Sequence, residues 1–155
     1  MRDVLSRIAA TVVIAGLGLQ AVAAQPDGPR SCEFEVKSRC ASGDVRVEFK
    51  AGEPVKLSVN AFWCGRPGAP GYTCTVEYNR TGDDSKWSRQ GAAYVIDNAS
   101  PANPDRPDRM ILTIGKDISL DLENAQSSGA CGAGAELPRA VVMPAGAKTC
   151  RVTLQ

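Results

Sequence analysis

Apolar and polar residues alternate along much of the chain, the period of a strand with one buried face. Cys32, Phe34 and Val36 share one face, and Val45, Val47 and Phe49 another. After the turn-forming Gly52-Glu53-Pro54, the run Val55, Leu57, Val59 and Ala61 alternates again, as do Tyr72, Cys74, Val76 and Tyr78. Further strands are expected around Ala92 to Ile96, Arg109 to Ile114, Ile118 to Leu122, Ala140 to Met143 and Thr149 to Leu154. No segment after residue 24 has the period of a long amphipathic helix. Many short strands separated by Gly, Pro, Asn and Asp specify an all-β fold, an antiparallel sandwich or small barrel, with the sandwich preferred.

The segment Val47 to Val59, VEFKAGEPVKLSV, resembles the strand pair around a tight turn common in immunoglobulin-like domains. The expected fold is therefore a small antiparallel β-sandwich, immunoglobulin-like or similar, stabilised by disulfides. All eight aromatic residues fall between Phe34 and Tyr94, so the first strands build the heavier half of the core and aliphatic C-terminal strands pack against it. Two long irregular stretches remain, Asp97 to Asp108 with three prolines and the Gly, Ala and Ser-rich Asn124 to Leu137.

The first 24 residues have a different pattern. Arg2 and Arg7 precede the apolar run Ala9 to Leu19, which ends on small residues at Ala21, Ala23 and Ala24. This is the layout of a secretory signal peptide, with cleavage between residues 23 and 25. The run is too short for the roughly 20 residues that cross a bilayer. The organisation expected is a signal over residues 1–24 and one disulfide-stabilised domain over 25–155, with no membrane span after cleavage. Export into a periplasmic or extracellular space follows, and the Ala, Gly, Arg and Asp bias leans bacterial. The sequons at Asn79 and Asn98 would matter only in a eukaryotic secretory route.

All six cysteines, Cys32, Cys40, Cys64, Cys74, Cys131 and Cys150, lie in the exported part, and an even number there reads as three disulfides. The loop with Pro67, Gly68, Pro70 and Gly71 predicts Cys64 paired with Cys74. Cys131 with Cys150 and Cys32 with Cys40 are then the simplest remainder. The last pair requires the strand after Cys32 to bend early, because a straight strand carries the Cα atoms past the bridging limit of about 7 Å.

Composition removes several chemistries. The chain contains no histidine, which excludes imidazole-based triads and HExxH zinc sites. The cysteine spacing lacks zinc-ribbon or redox C-x-x-C pairs, so neither a metal nor any other cofactor is expected. Without residues 1–24, which hold Arg2, Arg7 and Asp3, the 18 basic and 17 acidic residues become 16 of each. A neutral chain has no basic surplus for nucleic acid.

Candidate contact residues are Trp63, Arg66 and Tyr72, an aromatic and guanidinium set on a cystine-pinned loop, with the composition of a recognition hot spot. The ordinary alternative places one of Phe62 and Trp63 in the core and the other over a sheet edge. Trp87 and Arg89, near Tyr94, form a second cluster, and alternation places these two on one face. Asp83, Asp84, Asp121 and Glu123 are the carboxylates a hydrolase would use, although turns and solvated strand faces account for them. No catalytic set assembles. The leading expectation is an exported, non-catalytic binding module that engages a protein or glycan, envelope inhibitors of foreign hydrolases being one such class. The alternatives are a structural or stress-tolerance envelope protein, then a carboxylate-based hydrolase. Oligomeric state is not encoded in any pattern found.

Overall fold

The computed structural model describes residues 27–65, 67–82, 85–98, 108–125, 131 and 136–154. Residues 1–24, expected as a signal, Arg66, Asp83, Asp84 and most of the Pro-rich stretch lie outside the described residues. Among the described residues ten strands form: β1 Gly28–Val36, β2 Ala41–Lys50, β3 Glu53–Trp63, β4 Tyr72–Asn79, β5 Ser85–Gln90, β6 Ala93–Asn98, β7 Asp108–Ile114, β8 Ile118–Asn124, β9 Ala140–Met143 and β10 Arg151–Thr153. The only helix among the described residues is a single 3-10 turn, Lys37–Arg39.

The strands make two antiparallel sheets, one in the order β1-β2-β3-β4 and one in the order β10-β9-β8-β7-β6-β5. Every sheet neighbour is also a sequence neighbour. This meander departs from the Greek-key order of an immunoglobulin domain, so the resemblance of Val47 to Val59 extends to a hairpin and not to the topology. That hairpin turns on two residues, Ala51 and Gly52, with φ of 52° and 75°. Positive φ at both central positions matches the turn twist to the strand twist.

One core joins both sheets. Phe34, Val45, Val47, Phe49, Leu57, Val59 and Tyr78 face Ile96, Met110, Leu112, Ile118, Leu120 and Leu122. Four of the five buried aromatics, Phe34, Phe49, Trp63 and Tyr78, come from the first sheet and only Tyr94 from the second, as their clustering in sequence requires. The expected alternation holds through β1, β2 and β4. In β3 it slips at its start: Glu48 pairs Lys56 while Phe49 pairs Pro54, which leaves Val55 as the extra residue of a bulge. Val55 is therefore only half-buried and Pro54 is buried in its place. Strand β5 was not among the expected strands, because SKWSRQ holds one apolar residue.

All six cysteines are paired, in none of the expected combinations. The bridges are Cys32–Cys150, Cys40–Cys64 and Cys74–Cys131. Register explains each correction. Trp63 lies opposite Tyr72 and Ala61 opposite Cys74, so Cys64 and Cys74 are three residues out of step, about 10 Å. Cys74 also points into the core while Cys64 is exposed. Strand β1 runs unbent to Val36, which carries the Cys40 turn about 13 Å from Cys32. Cys131 and Cys150 sit on opposite edges of the four-stranded sheet: Cys131 bridges to Cys74 on β4, and Thr149 to Glu33 on β1. Three strand spacings, about 14 Å, separate those edges.

The β1 edge is closed by the chain's own C-terminal part. The Glu33 amide donates to the Lys148 carbonyl at 2.8 Å, and the Cys150 amide donates to the Glu33 carbonyl at 2.7 Å. Pro29 shares the outward parity of Glu33, so its missing N–H costs the β1–β2 ladder nothing.

Candidate binding surface

Strand parity decides which aromatic is displayed. On β3, Leu57, Val59, Ala61 and Trp63 point inward, and Ser58, Asn60 and Phe62 outward. Trp63 is 9% exposed and donates its indole N–H to the Glu136 carbonyl at 2.8 Å. The structure thus places Trp63 in the core, with its one polar atom satisfied. Tyr72, opposite it, is half-buried against the same core. Phe62 is the exposed aromatic of this end, at 44%.

Phe62 lies against Gly71, where a Cβ would come within 2.5 Å of the ring. It also borders a concavity of about 310 Å³ whose walls include Phe62, Ser42, Lys37 and both cysteines of the Cys40–Cys64 bridge. The bridge ties the β1–β2 turn to the end of β3, where the Cys64 amide also donates to the Cys40 carbonyl at 3.0 Å. An exposed ring thus rests on a glycine and borders a concavity that the disulfide also lines. The parity from Leu57 to Ala61 was the available signal that Trp63 is inside and Phe62 outside.

The second cluster is more connected than the sequence indicated. Arg89 and Trp87 do share one face, opposite Tyr94 and Ile96 respectively. Both belong to a network centred on Glu53, at the start of β3. The Glu53 carboxylate accepts from the Tyr94 hydroxyl at 2.8 Å, from Arg80 at 3.0 Å and from Arg89 at 2.7 Å. Both guanidiniums also lie 5.6 and 5.7 Å from the Tyr94 ring centre, and Trp87 meets that ring edge-on at 6.5 Å. The hydrogen bond from Tyr94, then that from Arg80, holds the Glu53 carboxyl below its ordinary range. Burial and the Glu53 carboxylate push the Tyr94 phenol up. This network ties β3 of one sheet to β5 and β6 of the other. Glu53 and Arg80 carried no sequence signal, since a turn glutamate and a post-strand arginine are ordinary surface residues.

No family model, curated protein or solved structure matches this chain.

Three other carboxylates are engaged on the surface. Asp97 accepts two bonds from Arg109 at 2.7 and 3.1 Å. Asp121 accepts from the Glu123 amide at 3.0 Å, and Glu123 pairs with Arg139 at 2.9 Å. Among the described residues no three His, Cys, Asp or Glu side chains are grouped to hold a metal. Asp108 is fully buried where β7 begins; burial of the Tyr78 phenol, and after it the Asp108 charge, pushes that phenol up to about 12. Among the described residues no helix is long and apolar enough to cross a membrane.

Proposed function

We propose that this chain is an exported, non-catalytic binding module that engages a protein or glycan at the Cys40–Cys64 end of its four-stranded sheet. The observation that carries this reading is Phe62, an aromatic 44% exposed, packed against Gly71 and bordering a concavity that the Cys40–Cys64 bridge also lines. A ring already fixed in place loses little entropy when a partner covers it. Trp63 and Tyr72 support the platform from below, and Arg89 and Trp87 belong to the clasp at the other end of β3. Three disulfides are consistent with an oxidising extracellular or periplasmic location, and the signal-like residues 1–24 supply the route.

Mature protein immobilised and exposed to envelope extracts and glycan panels at several salt concentrations tests the reading. A partner bound in solution, with Phe62→Ala lowering its affinity about thirtyfold or more and leaving the melting temperature unchanged, is expected of a central aromatic contact. Binding indifferent to Phe62→Ala would move the site elsewhere. No partner under any condition, together with turnover of some substrate, would end the non-catalytic reading.

One observation favours a structural envelope role. The outer face of the six-stranded sheet carries Val95, Ile111, Ala140 and Val142, with Ile111 37% exposed and a shallow concavity of about 310 Å³. A passive assembly component would use such a face against other chains. Sedimentation separates the readings: association that Ile111→Lys abolishes supports the assembly role, and a monomer at all concentrations opposes it.

A further inference from the structure

The three disulfides occupy different chemical environments. Cys32 and Cys150 are 2% and 6% exposed, so an external thiolate reaches that bridge only after the structure opens; Cys74 is fully buried and its partner Cys131 is half-buried, which leaves their bridge less accessible than one with two exposed sulfurs. Cys40 and Cys64 are both exposed and both line the open concavity beside Phe62. Cys40 also holds a left-handed backbone, φ 47° and ψ 47°, which is strained for a residue with a Cβ. Two cations, Lys37 and Arg39, lie within three residues of it, and Lys37 lines the same concavity, as does Glu35 with the opposite charge. Exposure together with nearby positive charge is the environment that favours a thiolate.

The geometry points to Cys40–Cys64 as a thiol-exchange site, at which Cys64 accepts an incoming thiol while the other two bridges serve only the fold. The incoming group is a small-molecule thiol such as a cysteinyl tripeptide. Its thiolate attacks Sγ of Cys64, a new S–S bond forms there, and the bond to Cys40 breaks. Cys40 leaves as a thiolate, the better leaving group beside Lys37 and Arg39, and takes a proton from water. A second thiolate then attacks the mixed disulfide on the sulfur of the small molecule, which releases Cys64 as a thiolate and an external disulfide. Two thiols are oxidised and one protein disulfide is reduced. The span of this bridge is 24 residues, within one sheet, and both sheets stay tied by the other two. Exchange therefore alters the wall of the Phe62 concavity while leaving the strands in place. This assignment stands whether or not Phe62 binds a partner.

Native mature protein treated with reduced glutathione, quenched in acid at intervals, alkylated and mapped by mass spectrometry tests it. Expected is a glutathione adduct on Cys64 with an alkylated Cys40, forming at least about tenfold faster than any modification at the other four cysteines. Far-ultraviolet dichroism should be unchanged during that phase. An adduct first on Cys40, or Cys32, Cys74, Cys131 or Cys150 modified at a similar rate, would overturn the assignment. The double variant Cys40→Ala, Cys64→Ala should keep the β spectrum and form no adduct. Adduct formation in that variant would also count against it.

Discussion

Cys32 and Cys150 close a span of 118 residues, and inside it lie the separate 24-residue and 57-residue spans of the other two bridges. The nesting fixes what each bridge contributes. In the chain-entropy description a lone 118-residue closure restricts the unfolded state by about 5 kcal/mol. With the inner bridges intact, however, their loops are already removed from the unfolded chain, and taking 24 and 57 from 118 leaves an effective loop of roughly 37 residues, worth about 4 kcal/mol. Replacing Cys32 and Cys150 by alanine should thus cost about 1 kcal/mol more when the inner bridges are absent than when they are present. The volume lost with two buried sulfurs is the same in both backgrounds and cancels in the difference. Urea unfolding of the four proteins, with each slope fitted separately, measures this coupling. The reasoning fails if the outer bridge contributes under about 1 kcal/mol with the inner bridges intact. It fails equally if the coupling has the opposite sign, because the bridges would then act through native-state packing and not through the unfolded chain.

Glu53→Gln should lower stability by about 1 kcal/mol, screened by the partial exposure of its arginine partners, and calorimetry should show a melting point lower by a few degrees. Because the Glu53 pKa is lowered on folding, its contribution is present above the unfolded value near 4.5 and disappears as pH falls below it; the Gln variant should lack that acid-dependent loss. For Tyr78 the sign reverses: its folded pKa of about 12 lies above the ordinary 10, so stability holds below pH 10 and about 1.4 kcal/mol is gone by about pH 11. Tyr78→Phe should remove that part of the alkaline loss in urea titrations compared across pH. Gly43→Ala should destabilise by about 2 kcal/mol or more, since its Cβ would sit 2.0 Å from the Asn60 carbonyl oxygen and 2.6 Å from the Phe34 ring; a neutral result in chemical denaturation would show that β2 and β3 yield easily there.

The strands were legible because burying one face of a two-sided sheet writes a period of two directly into residues such as Cys32, Phe34, Val45 and Val47. Strand β5 was not, because Trp87 is its one apolar residue and pairing with β6 stabilises the rest. Disulfide connectivity was illegible for a related reason. It depends on which strands neighbour which and in what register, and a loop between Cys64 and Cys74 rich in Pro and Gly says only that the chain reverses. The same applies to the site. Parity carried the information that Phe62 faces outward, but the Glu53 network joins residues 27 to 41 positions apart across two sheets, and nothing local marks it.

The Cys32–Cys150 bridge also determines how the fold would respond to pulling. It joins β1 to the segment entering β10, so a force applied at the two ends passes through one covalent link and never reaches the strands between. The Gly28–Ser31 part of β1 and all of β10, which lie outside the bridge, would peel from β2 and β9 under load while the ladders inside it stayed unstressed. Tethered at one end and gripped at the other, the domain would transmit tension as a short inextensible connector, and the Phe62 surface would keep its shape throughout.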